Sequence, residues 1–344
     1  MDSVLVIKMS SLGDIVHTFP ALTDAQKKYP NIKFDWVVES PFKDLPRLHP
    51  AVDRVIVNPR IENKKKRFSV ASVKRFLQFK TQVQASKYDA VIEAQYTNKG
   101  AKVAKMAQGK TFGLSSDTAH DPGVAKHFDQ SFYVSRSLHA IERTRKLFAL
   151  SLGYDYQSMK LEYGLNLENI DISAIKLEES PYLVFCHLTT WATKHAPRSL
   201  WISLLNYAKQ AGYQVLLPWV GETERVQTEL IIKESGWGVM FETLSIIQWA
   251  RLIESSHGVI GVDTGLTHLG AALNKPTLSI FGPTNPVLTG VKGVNAQNSA
   301  IQLACSPCMS RACHYTGERN HACMKQVNPA EVWQKFTKMQ ENKF

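Results

Sequence analysis

The run Gly258-Val259-Ile260-Gly261-Val262-Asp263-Thr264-Gly265-Leu266-Thr267-His268-Leu269-Gly270-Ala271-Ala272-Leu273 decides the fold. It reads as a strand, a tight turn and a helix. The same unit recurs on either side of it. Upstream lie a strand at Tyr182–Cys186, a helix at Ser199–Ala211, a strand at Gln214–Leu217 and helices at Glu224–Ser235 and Ser245–Ser255. Downstream lie a strand at Thr277–Phe281 and a last helix at Pro329–Gln340. The first half of the chain carries its own series. Strands are expected at Ser3–Met9, Lys33–Val38, Asp53–Val57 and Tyr88–Ala94, and helices at Ile15–Tyr29, Ser69–Ala85, Lys99–Ala107 and His139–Leu152. Alternation of this kind implies parallel sheets with helical crossovers. A polar stretch at Gly153–Ser180 separates the two series. The expectation is an α/β chain of two Rossmann-like doubly wound domains facing a central cleft. One spans residues 1–170 with the linker and the other 171–344, with the last helix packing back on the first.

Composition sets the outer bounds. The 344 residues are 44% hydrophobic and 21% charged, which excludes a disordered or fibrous chain. Lys and Arg number 41 against 30 Asp and Glu, a formal charge of +11. That excess points to an anionic partner: nucleic acid, a phosphorylated ligand or an acidic membrane surface. The opening Val4-Leu5-Val6-Ile7 is too short for a secretion signal, and no run reaches the roughly 18–20 apolar residues of a membrane span. A cytosolic or peripheral enzyme is expected. Five cysteines without a signal argue for reduced thiols.

Open α/β sheets bind ligands beyond the carboxyl ends of their strands. Asp14 sits there, after the first strand, in Ser10-Ser11-Leu12-Gly13-Asp14. It reads either as a helix N-cap or as a general base at the mouth of a cleft. This loop is neither a Walker A loop nor a dinucleotide fingerprint. In the second half, the turn Asp263-Thr264-Gly265 opens a helix whose N-terminus suits a diphosphate. Thr189, Thr190, Lys194 and His195 crowd the end of another strand, where Lys194 and the two hydroxyls can hold phosphate. Glu222 and Glu224 open a helix after Leu217-Pro218-Trp219; they serve either the helix dipole or ribose hydroxyls.

These pieces, in this order, resemble the lipopolysaccharide heptosyltransferases of glycosyltransferase family 9. Ser10–Asp14 followed by Pro20-Ala21-Leu22 is similar to the family's first loop and helix. Asp263-Thr264-Gly265-Leu266-Thr267-His268, with Gly282-Pro283-Thr284 after it, is similar to its D-T-G-x-x-H signature. The resemblance implies a GT-B architecture and inverting transfer of L-glycero-D-manno-heptose from ADP-heptose to a Kdo residue of Kdo2–lipid A. It implies Asp14 as base and Lys194 as the second catalytic group. Donor contacts fall on Thr189, Thr190, Lys194, Glu224, Leu244, Asp263, Thr264, Gly265 and His268. Acceptor contacts fall on Ser10, Gly13, Arg60, Lys64, Lys65, Lys66 and Arg67. The absence of a D-x-D motif agrees with metal-independent catalysis. A family member adding a later heptose shares donor and base, so only the acceptor separates the two readings. A nucleic-acid-binding protein is the alternative from another class, and no recognition signature supports it.

The stretch Asn58–Lys80 carries a local charge of +7. It suits the phosphates and carboxylates of a lipid-linked acceptor, and an anionic leaflet at about 1 kcal/mol per basic residue. Peripheral attachment to the cytoplasmic face of the bacterial inner membrane is expected. Phe76 and Phe79, three apart, are read as the buried side of the helix here. Cys305, Cys308, Cys313 and Cys323 form a tail that could hold structural zinc, but the second pair lacks C-x-x-C spacing. Structural thiols or a disulfide are the favoured reading.

Overall fold

In the computed structural model, which describes residues 1–63, 69–177 and 179–341, the chain divides into two units, Met1–Asn166 and Leu167–Phe344. The first contains β1 (Ser3–Ile7), α1 (Leu12–Val16), α2 (Phe19–Lys28), β2 (Lys33–Glu39), β3 (Val52–Asn58), α3 (Val70–Gln84), β4 (Ala90–Glu93), α4 (Asn98–Ala104), β5 (Thr111–Leu114), β6 (Gln130–Phe132) and α5 (Ala140–Leu152). Its strands are all parallel and run in the order β3-β2-β1-β4-β5-β6. This is the dinucleotide-fold order, which reverses between β1 and β4. β1 is apolar because both faces of a parallel sheet are covered, and Val4, Leu5, Val6 and Ile7 are fully buried.

The helix expected over Ile15–Tyr29 is two helices. Pro20 lies in the first turn of α2. It has no N–H to offer the carbonyl of Val16, and its ring clashes with a carbonyl four residues back, so α1 stops and a new helix starts. The expectation for Phe76 also needs correction. The inward row of α3 is Ser72, Phe79 and Val83, whereas Phe76 is 42% exposed at the edge of that row. β5 and β6 carry too little apolar sequence to be read as strands, and they lie at one edge of the sheet.

Residues 153–181 join the units without a helix or strand among the described residues. The second unit contains β7 (Tyr182–Cys186), α6 (Arg198–Gln210), β8 (Gln214–Leu216), α7 (Gly221–Ser235), α8 (Ile246–Ser255), β9 (Gly258–Val262), α9 (Gly265–Ala272), β10 (Thr277–Phe281), α10 (Pro286–Thr289), β11 (Ala296–Ala300), α11 (Ala322–Lys325) and α12 (Pro329–Glu341). Its parallel order is β11-β10-β9-β7-β8. This is the other common doubly wound order, reversing between β7 and β9. The last helix, expected against the first domain, has its buried face in this unit's core: Val332, Phe336 and Met339 join Leu204, Leu205, Leu278 and Ile280. Among the described residues no helix is long and apolar enough to cross a membrane.

Candidate active site

In each unit the central predicted site residues lie where the strand order reverses, whereas Arg60 follows β3, Glu224 follows β8 and Leu244 precedes α8. In the first unit they follow β1 and β4. The Nζ of Lys8, buried at the end of β1, donates to the carbonyl of Ala94 beyond β4 at 2.9 Å. Gln95 Oε1 accepts the N–H groups of Met9 and Ser10 at 2.8 and 3.1 Å. The Ser10–Asp14 loop is thus tied across the switch point. Asp14 Oδ2 accepts from the Ser11 N–H at 2.9 Å and from its hydroxyl at 2.7 Å. The N-cap is therefore Ser11, and Asp14 is the third residue of a capping box. Its other oxygen lies 3.6 Å from Lys8 Nζ, and its side chain is 46% exposed.

Burial works to raise the pKa of Asp14, but the Lys8 ammonium, the Ser11 donors and His17 outweigh it and hold the carboxyl below its ordinary value. Glu93, fully buried at the end of β4, goes the other way. Desolvation pushes it up to about 8, against the N–H groups of Thr97, Tyr96 and Gln95 and the charge of Lys8. Two carboxyls at one switch point are therefore driven apart, Asp14 ionised and Glu93 largely protonated at neutral pH. Such a split marks acid–base sites. Ser10 and Gly13 are half-buried beside Asp14. Arg60 is elsewhere engaged: its Nε donates to the buried Glu39 at 2.7 Å. Lys64, Lys65, Lys66 and Arg67 lie outside the described residues.

In the second unit the centre is Asp263, at the end of β9. Its Oδ1 faces His268 Nε2 at 3.1 Å. Its Oδ2 accepts from the Thr284 hydroxyl at 2.7 Å and pairs with Lys194 Nζ at 2.7 Å. Burial acts to raise this carboxyl, yet His268 and Lys194 hold it far below the usual carboxylate range. Asp263, expected to contact a donor, thus has both oxygens engaged by its own chain. Lys194 also stands 4.6 Å from the centre of the Trp191 ring, which Arg311 approaches at 4.8 Å. Thr189 and Lys194 both reach the Asp263 carbonyl at 3.5 Å, and Thr190 is exposed nearby in sequence. Thr264 caps α9 in extended conformation and Gly265 begins it, so the first N–H groups of that helix point out of its hydrogen-bond ladder. Glu224 caps its own helix, Oε2 taking the Val220 N–H at 2.8 Å, and Glu222 pairs with Arg225. Leu244 is half-buried just before the capping Ser245 of α8.

Lys8, Gln95, Glu93 and Thr284 are the site residues that sequence reading missed. Lys8 left a signal, a charge closing an otherwise apolar strand. Thr284 stood in the Gly282-Pro283-Thr284 stretch that accompanies the signature, but without a role of its own. All five cysteines are free thiols, so the disulfide considered for the tail is not formed. Backbone N–H groups of His321 and Tyr315 pull the Cys313 thiol down, while burial pushes Cys323 up. Among the described residues no group of three or more His, Cys, Asp or Glu is arranged to hold a metal ion.

Two doubly wound units built on parallel strands, each with charged residues at its own switch point, make a fold of the GT-B class. The chain belongs to glycosyltransferase family 9 (heptosyltransferase), whose profile matches residues 76–318. It is 39% identical over 314 residues to lipopolysaccharide heptosyltransferase 1 of Pseudomonas aeruginosa, covering 91% of this chain and 87% of that one. It is 37% identical over 293 residues to the enzyme of that name from Escherichia coli K12, covering 85% and 91%. The structure of E. coli heptosyltransferase WaaC with ADP superposes with a TM-score of 0.84 at 33% identity, over 98% of this chain and 99% of that one. E. coli ADP-heptose lps heptosyltransferase II, at 18% identity and TM-score 0.76, shares the fold. The family and fold expected from the sequence are therefore correct.

Proposed function

We propose that this glycosyltransferase moves L-glycero-D-manno-heptose from ADP-heptose to a Kdo residue of Kdo2–lipid A, the first heptose of the lipopolysaccharide inner core, with inversion. The observation that carries the reading is the Lys194–Asp263–His268–Thr284 cluster at the mouth of α9. It is a preorganised cation beside a helix N-terminus, the arrangement a leaving diphosphate needs. The ADP in the similar E. coli structure supports adenosine diphosphate as the carrier.

The step is a single in-line displacement. A Kdo hydroxyl oxygen bonds to the anomeric carbon, the bond from that carbon to the β-phosphate oxygen breaks, and ADP leaves with the electron pair. Asp14 takes the hydroxyl proton, and Lys194 with the N–H groups at Thr264 and Gly265 stabilises the departing charge. Asp263 positions Lys194 and His268 rather than touching the sugar nucleotide itself. Thr189 and Thr190 bind the diphosphate, Glu224 the ribose, and Leu244 the adenine. Ser10, Gly13, Arg60 and the Lys64–Arg67 segment serve the acceptor. No step here requires a metal. The local charge of +7 over Asn58–Lys80 supports peripheral attachment to the cytoplasmic face of the bacterial inner membrane.

The test is product analysis. Incubation with ADP-heptose and Kdo2–lipid A should release ADP and add one heptose to the acceptor by mass spectrometry. Transfer only to an acceptor already bearing heptose would overturn the acceptor assignment. No ADP release with either acceptor would overturn the reading as a whole.

A further inference from the structure

The peripheral-membrane reading leaves open which surface meets the lipid, and α3 supplies an answer. Its inward row is Ser72, Phe79 and Val83. At about 100° per residue, Val70, Val73 and Leu77 fall on the opposite side. They are 86%, 52% and 55% exposed. Isolated exposed aliphatics need no explanation, but three aligned on one solvent face of one helix do. Lys74 and Lys80 are exposed on the same side of the helix, flanking the row. The surrounding sequence is one-signed: from Asn63 to Tyr88 there are eight Lys and Arg and no Asp or Glu.

Aliphatic side chains on the outside of a helix with lysines beside them form an amphipathic face of the interfacial kind. The charge decides between occupants. A second copy of this chain would bring two cationic faces together, which repels. An anionic leaflet answers both features at once, with phosphates for the lysines and the acyl boundary for the valines and leucine. We infer that α3 is a membrane-docking helix, its Val70, Val73 and Leu77 entering the headgroup–acyl boundary of an anionic bilayer while Lys74 and Lys80 pair with lipid phosphates. This rests on the peripheral-membrane part of the proposed function and names the element responsible. Three short aliphatic side chains give reversible docking, which suits an enzyme that must reach one lipid-linked acceptor after another.

The test is co-sedimentation with vesicles of phosphatidylcholine containing about 30% phosphatidylglycerol, comparing the wild type with Val70→Lys/Leu77→Lys. Lysine is a better helix former than valine and about equal to leucine, and both positions face solvent, so the fold is kept. A circular dichroism spectrum and turnover of a deacylated, water-soluble Kdo acceptor serve as controls, and both should match the wild type. The double variant gains charge and loses apolar contact. In dilute buffer it should bind at least as well as the wild type. In about 0.5 M salt, where charge attraction is screened, it should bind about tenfold more weakly or worse. Equal binding by both proteins at high salt would overturn the role of α3 and leave the peripheral reading standing. Failure of the wild type to bind at any salt concentration would overturn both. Concentration-dependent dimerisation without lipid, abolished in the double variant, would assign the face to a second copy instead.

Discussion

Asp263→Asn removes one negative charge from the centre of the donor-side cluster and almost nothing else. In the wild type, Lys194 Nζ lies 2.7 Å from Asp263 Oδ2, with the two side chains only 14% and 8% exposed. The substitution leaves a mostly buried ammonium without its counter-charge. Breaking a buried pair from one side costs about 3–5 kcal/mol. For a unit of this size that lowers the unfolding midpoint by about 6–20 °C. Lys194→Met should cost a similar amount from the other side, since it strands the carboxylate. The double variant strands neither charge, so its loss should fall short of the sum by about 2–3 kcal/mol. Calorimetry or urea unfolding of the four proteins gives the coupling directly. The contribution should also depend on pH. Asp263 is held far below its unfolded value of about 3.9, so the pair stabilises fully above that pH and is lost on acidification below it. The wild-type advantage over Asp263→Asn should therefore shrink in acid. If the two single losses add within about 0.5 kcal/mol, the cluster is not a coupled unit, and Asp263 does not position Lys194.

Asp14→Asn should lower kcat by roughly 10²–10⁴ while ADP affinity by calorimetry stays unchanged; near-normal turnover would remove Asp14 as base. Lys8→Met should move the acid limb of the kcat/KM profile to higher pH. The Lys8 charge favours the ionised Asp14 that can accept a proton, and Lys8→Arg should restore the limb; an unmoved limb in Lys8→Met would discard the coupling. Gly100→Ala would drive a methyl group into Glu93 Oε1. It should cost about 1–3 kcal/mol in a thermal melt, as overpacking does, and an unchanged midpoint would show that Glu93 is not fixed in its cradle. Replacing Lys64, Lys65, Lys66 and Arg67 together by Gln should raise the acceptor KM or weaken vesicle binding and spare ADP binding. Unchanged values for both acceptor and vesicles would clear that segment of either role.

The strands that sequence reading placed to the residue, Tyr182–Cys186, Gly258–Val262 and Thr277–Phe281, are central ones buried on both faces. None of the three carries a charge, and Thr277–Phe281 interrupts its apolar residues only with two small hydroxyls, as burial on both faces demands. The strands it missed, Thr111–Leu114, Gln130–Phe132 and Ala296–Ala300, lie toward sheet edges. There one side need not be apolar, and Ala-Gln-Asn-Ser-Ala carries no strand pattern. The site divides in the same way. Asp14, Lys194 and the Asp263 turn were legible because each sits at the end of a recognisable strand. The partners that fix their roles were not legible. Gln95 and Ala94 meet the first loop only because β4 lies beside β1, and Thr284 meets Asp263 only because β10 lies beside β9. Glu224 adds a partner that the sequence does not show, since its Oε2 also takes the N–H of Val220 at the start of its own helix.

The two switch points use the same pair of groups, a lysine facing an aspartate, and the exposure and partners of the aspartate separate what the pairs can do. A carboxylate has about four lone-pair positions. Asp263 spends them inside the protein, on His268 through Oδ1 and on Thr284 and Lys194 through Oδ2. Such a group can fix the place of a cation but has little left for a proton. Asp14 uses Oδ2 for the two Ser11 donors, and its Oδ1 has Lys8 only at 3.6 Å, beyond a hydrogen bond. With nearly half its side chain open to solvent, that oxygen is free to take a proton, while Lys8 keeps it ionised until it does. On the proposed mechanism, the pair with the exposed carboxylate therefore serves as the base and the pair with the buried carboxylate as the anchor for the leaving group. Exchanging their environments, rather than their residues, would exchange their roles.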